Sequence, residues 1–298
     1  MITFNTTKGL VTVDTWEEIE GRAGFLADLN PNEHKLKEIL AKYEFRDKVN
    51  CGLSTCHSPH NRGYIVSTMD GHETNIGQIC GGKFFGVQFK TLSKKFDRDV
   101  TEFENRTTLK EFSPDNVNKQ ITELRKQDQG ADWVHRNCLF LTQKHKCPEI
   151  IVSSLYKMVK SRNRVLVSLR KATDQEVDAI EATSNRLISR PHYIEEPIAE
   201  ISGIEALYPE NDLRQLLITD LENKIREFVT NDIDQMTYSE LQKWSKWTGT
   251  IDTSLKAAER ILSLGRSLLI KDNLYPLTRL VGGRDRDKFN SFLDSLSA

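Results

Sequence analysis

The sequence predicts a mainly α-helical protein, with long helices in coiled-coil or helical-bundle packing and one small β-hairpin and helix segment near residues 51–90. Three observations lead there. Apolar residues recur at steps of three and four along most of the 298 residues, as on one face of an α-helix. Charged residues make up 29% and the mean hydropathy is −0.51, which suits long helices that expose much of their surface. Only residues 51–80 change character, becoming rich in Gly, Cys, His, Asn and Pro.

Taken in order, residues 1–50 read as an N-terminal helical arm behind a short strand. Thr15 with Glu18 forms a capping box, and Pro31 opens a second helix that carries Leu36, Ile39, Leu40 and Tyr43 on one side. In "GYIVSTMDGHETNIG", Tyr64, Ile65 and Val66 suit a strand and Asp70-Gly71 suits a two-residue turn. This hairpin is the only β element expected, with no partner sheet elsewhere. Beyond Cys80, the residues Phe85, Phe89, Leu92, Phe96, Val100 and Phe103 form one helical stripe. Ser113-Pro114-Asp115 starts a new helix that ends at Gly130, and a short helical segment follows around Trp133.

Residues 91–190 are expected to hold the long helices. Ile151, Leu155, Met158, Arg162, Val165, Leu169 and Ala172 alternate steps of four and three, a coiled-coil seam with Arg162 as a charged interruption. Pro191 and Pro197 mark a linker, and 191–298 reads as a C-terminal helical hairpin. Its first helix carries Leu213, Leu217, Leu221, Ile225 and Phe228. Its second opens on a Thr237/Glu240 capping box and carries Leu241, Trp244, Trp247, Ile251, Leu255, Ala258 and Leu262. The tryptophans fall on the helical seam, so they read as core or interface anchors.

The chemistry concentrates in "CGLSTCHSPHN", residues 51–61, with Cys80 following in "NIGQICGGKFFG". A structural zinc site takes four Cys or His ligands, supplied by short loops that the fold brings together. Cys51 and Cys56 close one such loop, Cys80 lies where the hairpin meets a helix, and His60 is the first choice for the fourth ligand, with His57 and His72 in reserve. The competing reading, three buried core cysteines, fits poorly with a polar loop rich in glycine, histidine and proline. His135, Cys138, His145 and Cys147 form a weaker second grouping, although Cys138 begins the apolar run "CLFL". The knuckle, the hairpin ending in "NIG" and the cysteine in the first turn of "CGGKFFG" resemble a treble-clef zinc finger over about residues 51–90. That resemblance implies one structural Zn²⁺. On this reading Gly77 permits a tight turn into the helix, and Gly81 and Gly82 leave backbone N–H groups for the Cys80 thiolate.

Function follows less directly. The net charge of −1 hides an asymmetry, since residues 91–175 carry 17 Lys/Arg against 11 Asp/Glu, and residues 176–298 carry 15 against 21. Lys83, Lys90, Lys94 and Lys95 flank the finger helix, and Lys157, Lys160, Arg162 and Arg164 belong to a basic stripe. Such a stripe suits phosphates, and it equally suits pairing with the acidic C-terminal third. No glycine-rich phosphate loop, serine elbow or paired carboxylates appear. The expectation is a non-enzymatic zinc-finger and coiled-coil protein that forms a homodimer or higher homo-oligomer through its helices and is nucleic-acid-associated or regulatory through partner binding. A purely protein-binding scaffold or an inhibitor protein with a structural zinc is the alternative. A His-Asn-His nuclease has a similar clef, and His60-Asn61 fits it, but the Asp-His pair that would supply the base is missing. Five cysteines, no signal-peptide pattern and no apolar run of about 20 residues point to a soluble, reducing, cytoplasmic setting, with no membrane and no small-molecule substrate.

Overall fold

The computed structural model describes residues 1–6, 9–184 and 186–296. It corrects the expected fold class to mixed α/β, because a five-stranded antiparallel sheet occupies the N-terminal region. The chain forms two compact units, one of Met1–Phe112 with Asp232–Lys246 and the other of Ser113–Asn231 with Trp247–Ala298.

In the first unit β1 (Ile2–Thr6), β2 (Gly9–Val13), β3 (Leu36–Asn50), β4 (Pro59–Thr68) and β5 (Glu73–Gly77) pair in the order β2-β1-β3-β4-β5. The helical arm expected over 1–50 is therefore wrong. Among the described residues there, one helical turn forms, α1 (Glu17–Glu20), beside the expected Thr15–Glu18 side-chain contact at 2.8 Å. Residues 36, 39, 40 and 43 fit a helical face, yet they lie in a 15-residue strand. The reason lies in register shifts at Leu36/Glu38 and Ile39/Ala41, which break the two-residue alternation. Leu36 and Ile39 then face one core, and Ala41 and Tyr43 face another on the opposite side of the sheet. The β4–β5 hairpin forms as expected, with Gly71 in the left-handed region (φ +88°) at its turn.

Two helices follow β5, α2 (Gln78–Phe84) and α3 (Gly86–Glu111). The single stripe expected from Phe85 onward is broken at Gly86 (φ +59°), but Phe89, Phe96 and Val100 are buried as that stripe implies. They pack on Tyr64, Val66 and Ile76 of the sheet. Polar ties fix the approach, since the Tyr64 hydroxyl donates to Asp97 (2.9 Å), Lys42 pairs with the same carboxylate (2.9 Å), and the Gln88 amide donates to the Leu36 carbonyl (2.9 Å). The later half of α3 holds the returning segment, with Arg106 donating to the Ile233 and Met236 carbonyls and Arg98 lying over the Tyr238 ring.

The second unit is helical, built from α4 (Pro114–Lys126), α5 (Ala131–Thr142), α6 (Glu149–Ser161), α7 (Asp174–Ser184) and later helices. It also contains a two-stranded sheet of β6 (Val165–Lys171) and β7 (Tyr193–Glu200). The coiled coil expected from Ile151 to Ala172 is absent. The helix stops at Arg162, which takes a left-handed cap conformation (φ +51°) instead of sitting in a seam. Asn163 then accepts from the Val165 N–H, and the valine-rich run pairs with β7 from Val165↔Glu200 to Lys171↔Tyr193. Pro197, read as a linker, sits beside the shift in that pairing.

The π-helical turn Gln215–Glu222 runs into α8 (Asn223–Val229), and Leu217, Leu221, Ile225 and Phe228 are buried as expected. The Thr237/Glu240 capping box is present, opening α9 (Tyr238–Thr248), and α10 (Ile251–Leu268) follows a break at 249–250. Leu241, Trp244, Trp247, Ile251, Leu255, Ala258 and Leu262 are all buried. No helix among the described residues is long and apolar enough to cross a membrane.

Candidate metal centre

Cys51 follows the last residue of β3, Cys56 lies in the knuckle before β4, and Cys80 sits in the first turn of α2. Backbone bonds shape the knuckle, from Cys56 N–H to the Leu53 carbonyl (2.9 Å), Cys51 N–H to Ser58 (3.2 Å) and Gly52 N–H to Asn75 (2.9 Å). Gly52 is required there, because a Cβ would stand 2.2 Å from Thr74 Oγ1. His57 turns the chain with φ +49°. The knuckle, the β4–β5 hairpin and α2 follow one another along the chain, and the hairpin is part of the five-stranded sheet.

The three sulfurs lie within 4.8 Å of one another, and this group could hold a metal ion. Cys56 Sγ and Cys80 Sγ are 3.1 Å apart, and all three cysteines are free thiols. Sulfurs bound to one tetrahedral zinc at about 2.3 Å stand about 3.8 Å apart, so the arrangement needs only small adjustments to close on an ion.

The thiols differ in acidity. Burial pushes Cys51 up, against backbone hydrogen bonds from Leu53 and Gly77 that favour its thiolate. Cys80 is pushed up to about 12, first by burial and then by its hydrogen bond to Cys56. At Cys56 burial also opposes ionisation, but hydrogen bonds from the Ser58 hydroxyl, Cys80 and the Ser58 N–H outweigh it and bring the thiol down to about 7. A divalent cation would draw all three into the thiolate form and release their protons.

His60 stands apart from the sulfur group. Its Nδ1 lies 3.0 Å from the Ser58 carbonyl, which can only accept, so Nδ1 carries the proton. Nε2 then accepts from the Tyr43 hydroxyl at 2.5 Å, and Tyr43 in turn accepts from the Asn75 amide at 3.3 Å. Burial pushes the Tyr43 phenol up, which keeps it a donor. His60 thus braces Ser58, whose N–H and hydroxyl face the Cys56 sulfur. His57 rests its Nδ1 on the Cys51 carbonyl (3.2 Å) and its Nε2 on Asp28 (3.1 Å), and His72 lies at the far end of the hairpin. Among the described residues, three thiols and no imidazole make up the group.

The glycines also have other roles than expected. Gly77 has an ordinary extended conformation, and its backbone supports Cys51. Gly81 is a packing residue, since a Cβ there would stand 2.3 Å from the Phe89 ring.

The second grouping does not assemble. His135 faces Asp212 at 3.9 Å, and burial pushes both Cys138 and Cys147 up to about 12, as in apolar surroundings.

The cationic residues divide. Lys83, Lys90, Lys94 and Lys95 are exposed on α2 and α3, and Lys157 and Lys160 line an open groove beside β6. None of these six joins a salt bridge among the described residues. Arg162 pairs with Glu210 (2.6 Å) and Arg164 with Glu205 (2.8 Å), so acidic residues of the C-terminal third compensate that part of the stripe. Sequence reasoning missed Arg46 and Lys48. With His60, Gln78 and Cys80 they line an open cleft of about 850 Å³ beside the sulfurs. Their only signal was "FRDKV", whose cations gain meaning once β3 ends at Cys51.

Comparison with protein-family models, curated proteins and solved structures finds no match to the chain.

Proposed function

We propose that Cys51, Cys56 and Cys80 hold one Zn²⁺, and that the first unit is a non-enzymatic binding module for nucleic acid. The observation that carries the metal is the convergence of three sulfurs from two loops with backbone N–H support. Zinc suits thiolates, and the fourth position of its tetrahedron is left to water or an incoming group. The binding reading rests on four lysines outside any salt bridge among the described residues, Lys83 on α2 with Cys80 and Lys90, Lys94 and Lys95 on α3, with Arg46 and Lys48 in the adjoining cleft.

Anisotropy titrations with a labelled duplex and a labelled single strand at several salt concentrations test that reading. Affinity is expected to fall steeply with salt. Replacing Lys83, Lys90, Lys94 and Lys95 by Gln together is expected to flatten the slope by up to about 0.9 for each phosphate no longer neutralised on duplex, or about 0.7 on a single strand. Salt-independent or absent binding at low salt would remove the proposal.

A protein partner is the second reading, favoured by Ile79 and Val87, which are 88% and 79% exposed beside the centre. The nuclease alternative gains nothing, because both His60 nitrogens are engaged and Asn61 donates to the Arg46 carbonyl (2.8 Å). The coiled-coil seam was the ground for expecting self-association, and the turn at Arg162 removes it.

His60→Ala separates a bracing role from a ligand role. As a brace its loss is expected to weaken zinc affinity of the cysteine group by about 10–100-fold while that group still takes one ion at saturation. Competition with a chromophoric chelator measures this, and complete loss of the ion would make His60 a ligand after all.

A further inference from the structure

A second set of ligand-type side chains lies at the opposite end of the β4–β5 hairpin. His34 Nδ1 stands 2.6 Å from Asp70 Oδ2, and His72 Nε2 stands 3.8 Å from the same oxygen. The two imidazoles meet edge to face, with centroids 5.2 Å apart, and one ligand atom from each of the three residues falls within 4.8 Å of the others.

The backbone holds the cluster in place. The Met69 N–H donates to the Lys35 carbonyl (2.9 Å), which fastens the chain beside His34 to the turn. Leu36 pairs with Thr68 in the sheet, and Gly71 supplies the left-handed residue that brings Asp70 and His72 to one side. Thr68 Oγ1 accepts from the His72 N–H (3.1 Å) and donates to the His72 carbonyl (3.0 Å), which clamps the residue from both backbone groups.

A simple ion pair between His34 and Asp70 would account for the first distance but not for His72, whose Nε2 turns toward the same oxygen. Ligand atoms bound to one ion at about 2.0–2.1 Å in a tetrahedron stand about 3.3 Å apart. The two nitrogen–oxygen distances bracket that value, so closing on an ion asks each to change by roughly 0.5–0.7 Å. Two imidazoles and one carboxylate suit first-row transition ions, whereas Mg²⁺ and Ca²⁺ prefer shells made of oxygen.

We propose that His34, Asp70 and His72 form a second, solvent-accessible metal site that takes a divalent transition ion such as Zn²⁺, Co²⁺ or Ni²⁺ and leaves coordination positions for water or an external ligand. Half of the Asp70 side chain and about two-fifths of the His72 side chain are exposed, so an ion reaches them without opening the fold. The cysteines take no part, and the site stands whether or not they hold zinc.

Isothermal titration of the full-length chain with Ni²⁺, in the presence of one equivalent of Zn²⁺, tests this. The wild type is expected to bind one Ni²⁺. His34→Ala and His72→Ala are each expected to weaken that binding by more than about 100-fold, beyond the roughly 10–100-fold of an outer-shell partner. Co²⁺ added in place of Ni²⁺ should give only weak visible bands, without the near-ultraviolet thiolate charge transfer that marks a sulfur site. Asp70→Asn keeps the turn's size and is expected to lower affinity without altering thermal unfolding. Equal Ni²⁺ affinity in the wild type and both histidine variants would overturn the site.

Discussion

Replacing Cys51 by Ser is expected to lower bound zinc by about one ion per chain and to destabilise the first unit by an amount of the order of 4–5 kcal/mol, as losses of a bound metal do. Cys51 is fully buried, and its sulfur lies where β3, the knuckle and the end of β5 meet. A serine hydroxyl stays protonated at neutral pH and is a poor partner for a borderline-soft ion, so the remaining two thiols are left to hold it. Whole-unit unfolding is not expected, because two apolar cores lie on the sheet, and Ile2, Phe4, Ala41 and Ile65 belong to the one away from the sulfurs. Elemental analysis and hydrogen exchange measure the result. Protection should vanish over residues 51–58 and 78–84 and persist in β1 and β3. Wild-type protein free of transition metal, or unchanged metal content in the variant, would refute the zinc assignment.

Phe89→Ala is expected to cost about 3–5 kcal/mol, the usual range for a fully buried aromatic reduced to alanine. The ring meets Tyr64 edge to face at 5.6 Å and fills the space over Gly81, which has no side chain to collapse into the gap. Because Gly81 follows Cys80, the cavity also loosens the turn that presents the third sulfur. Zinc affinity should therefore fall although every ligand remains. Urea unfolding checks the first effect, where a lower midpoint at constant slope marks reduced stability rather than a changed denatured state. Chelator competition checks the second. A cost under about 1 kcal/mol would mean that α3 does not depend on this packing.

Local signals were legible in the residues alone. Asp70-Gly71 between apolar strands, the Thr237/Glu240 box and the Cys51–Cys56 knuckle each act over a few residues, and each appears in the structure. Longer patterns misled where they admitted two periods. Leu36, Ile39, Leu40 and Tyr43 fit a helical face, and they fit equally a strand whose alternation is broken by bulges. From Ile151 to Ala172 a seven-residue rhythm runs across the end of a helix and the start of a strand. His60 shows the same limit in the site. Its nearness to Cys56 made it a ligand candidate, and Tyr43, 17 residues earlier, took its ring nitrogen.

What the amino-acid sequence determined by itself was the group of three cysteines, the hairpin between Cys56 and Cys80, and the buried faces of the later helices. The tertiary structure decided whether the first fifty residues became strands, which imidazole stayed outside the sulfur group, and that His34 came to meet His72. The physical reason is range. Turn chemistry, capping and side-chain spacing act within a few residues, whereas strand pairing draws its hydrogen bonds from residues far apart in the chain and overrides helical propensity when both faces of a sheet are covered.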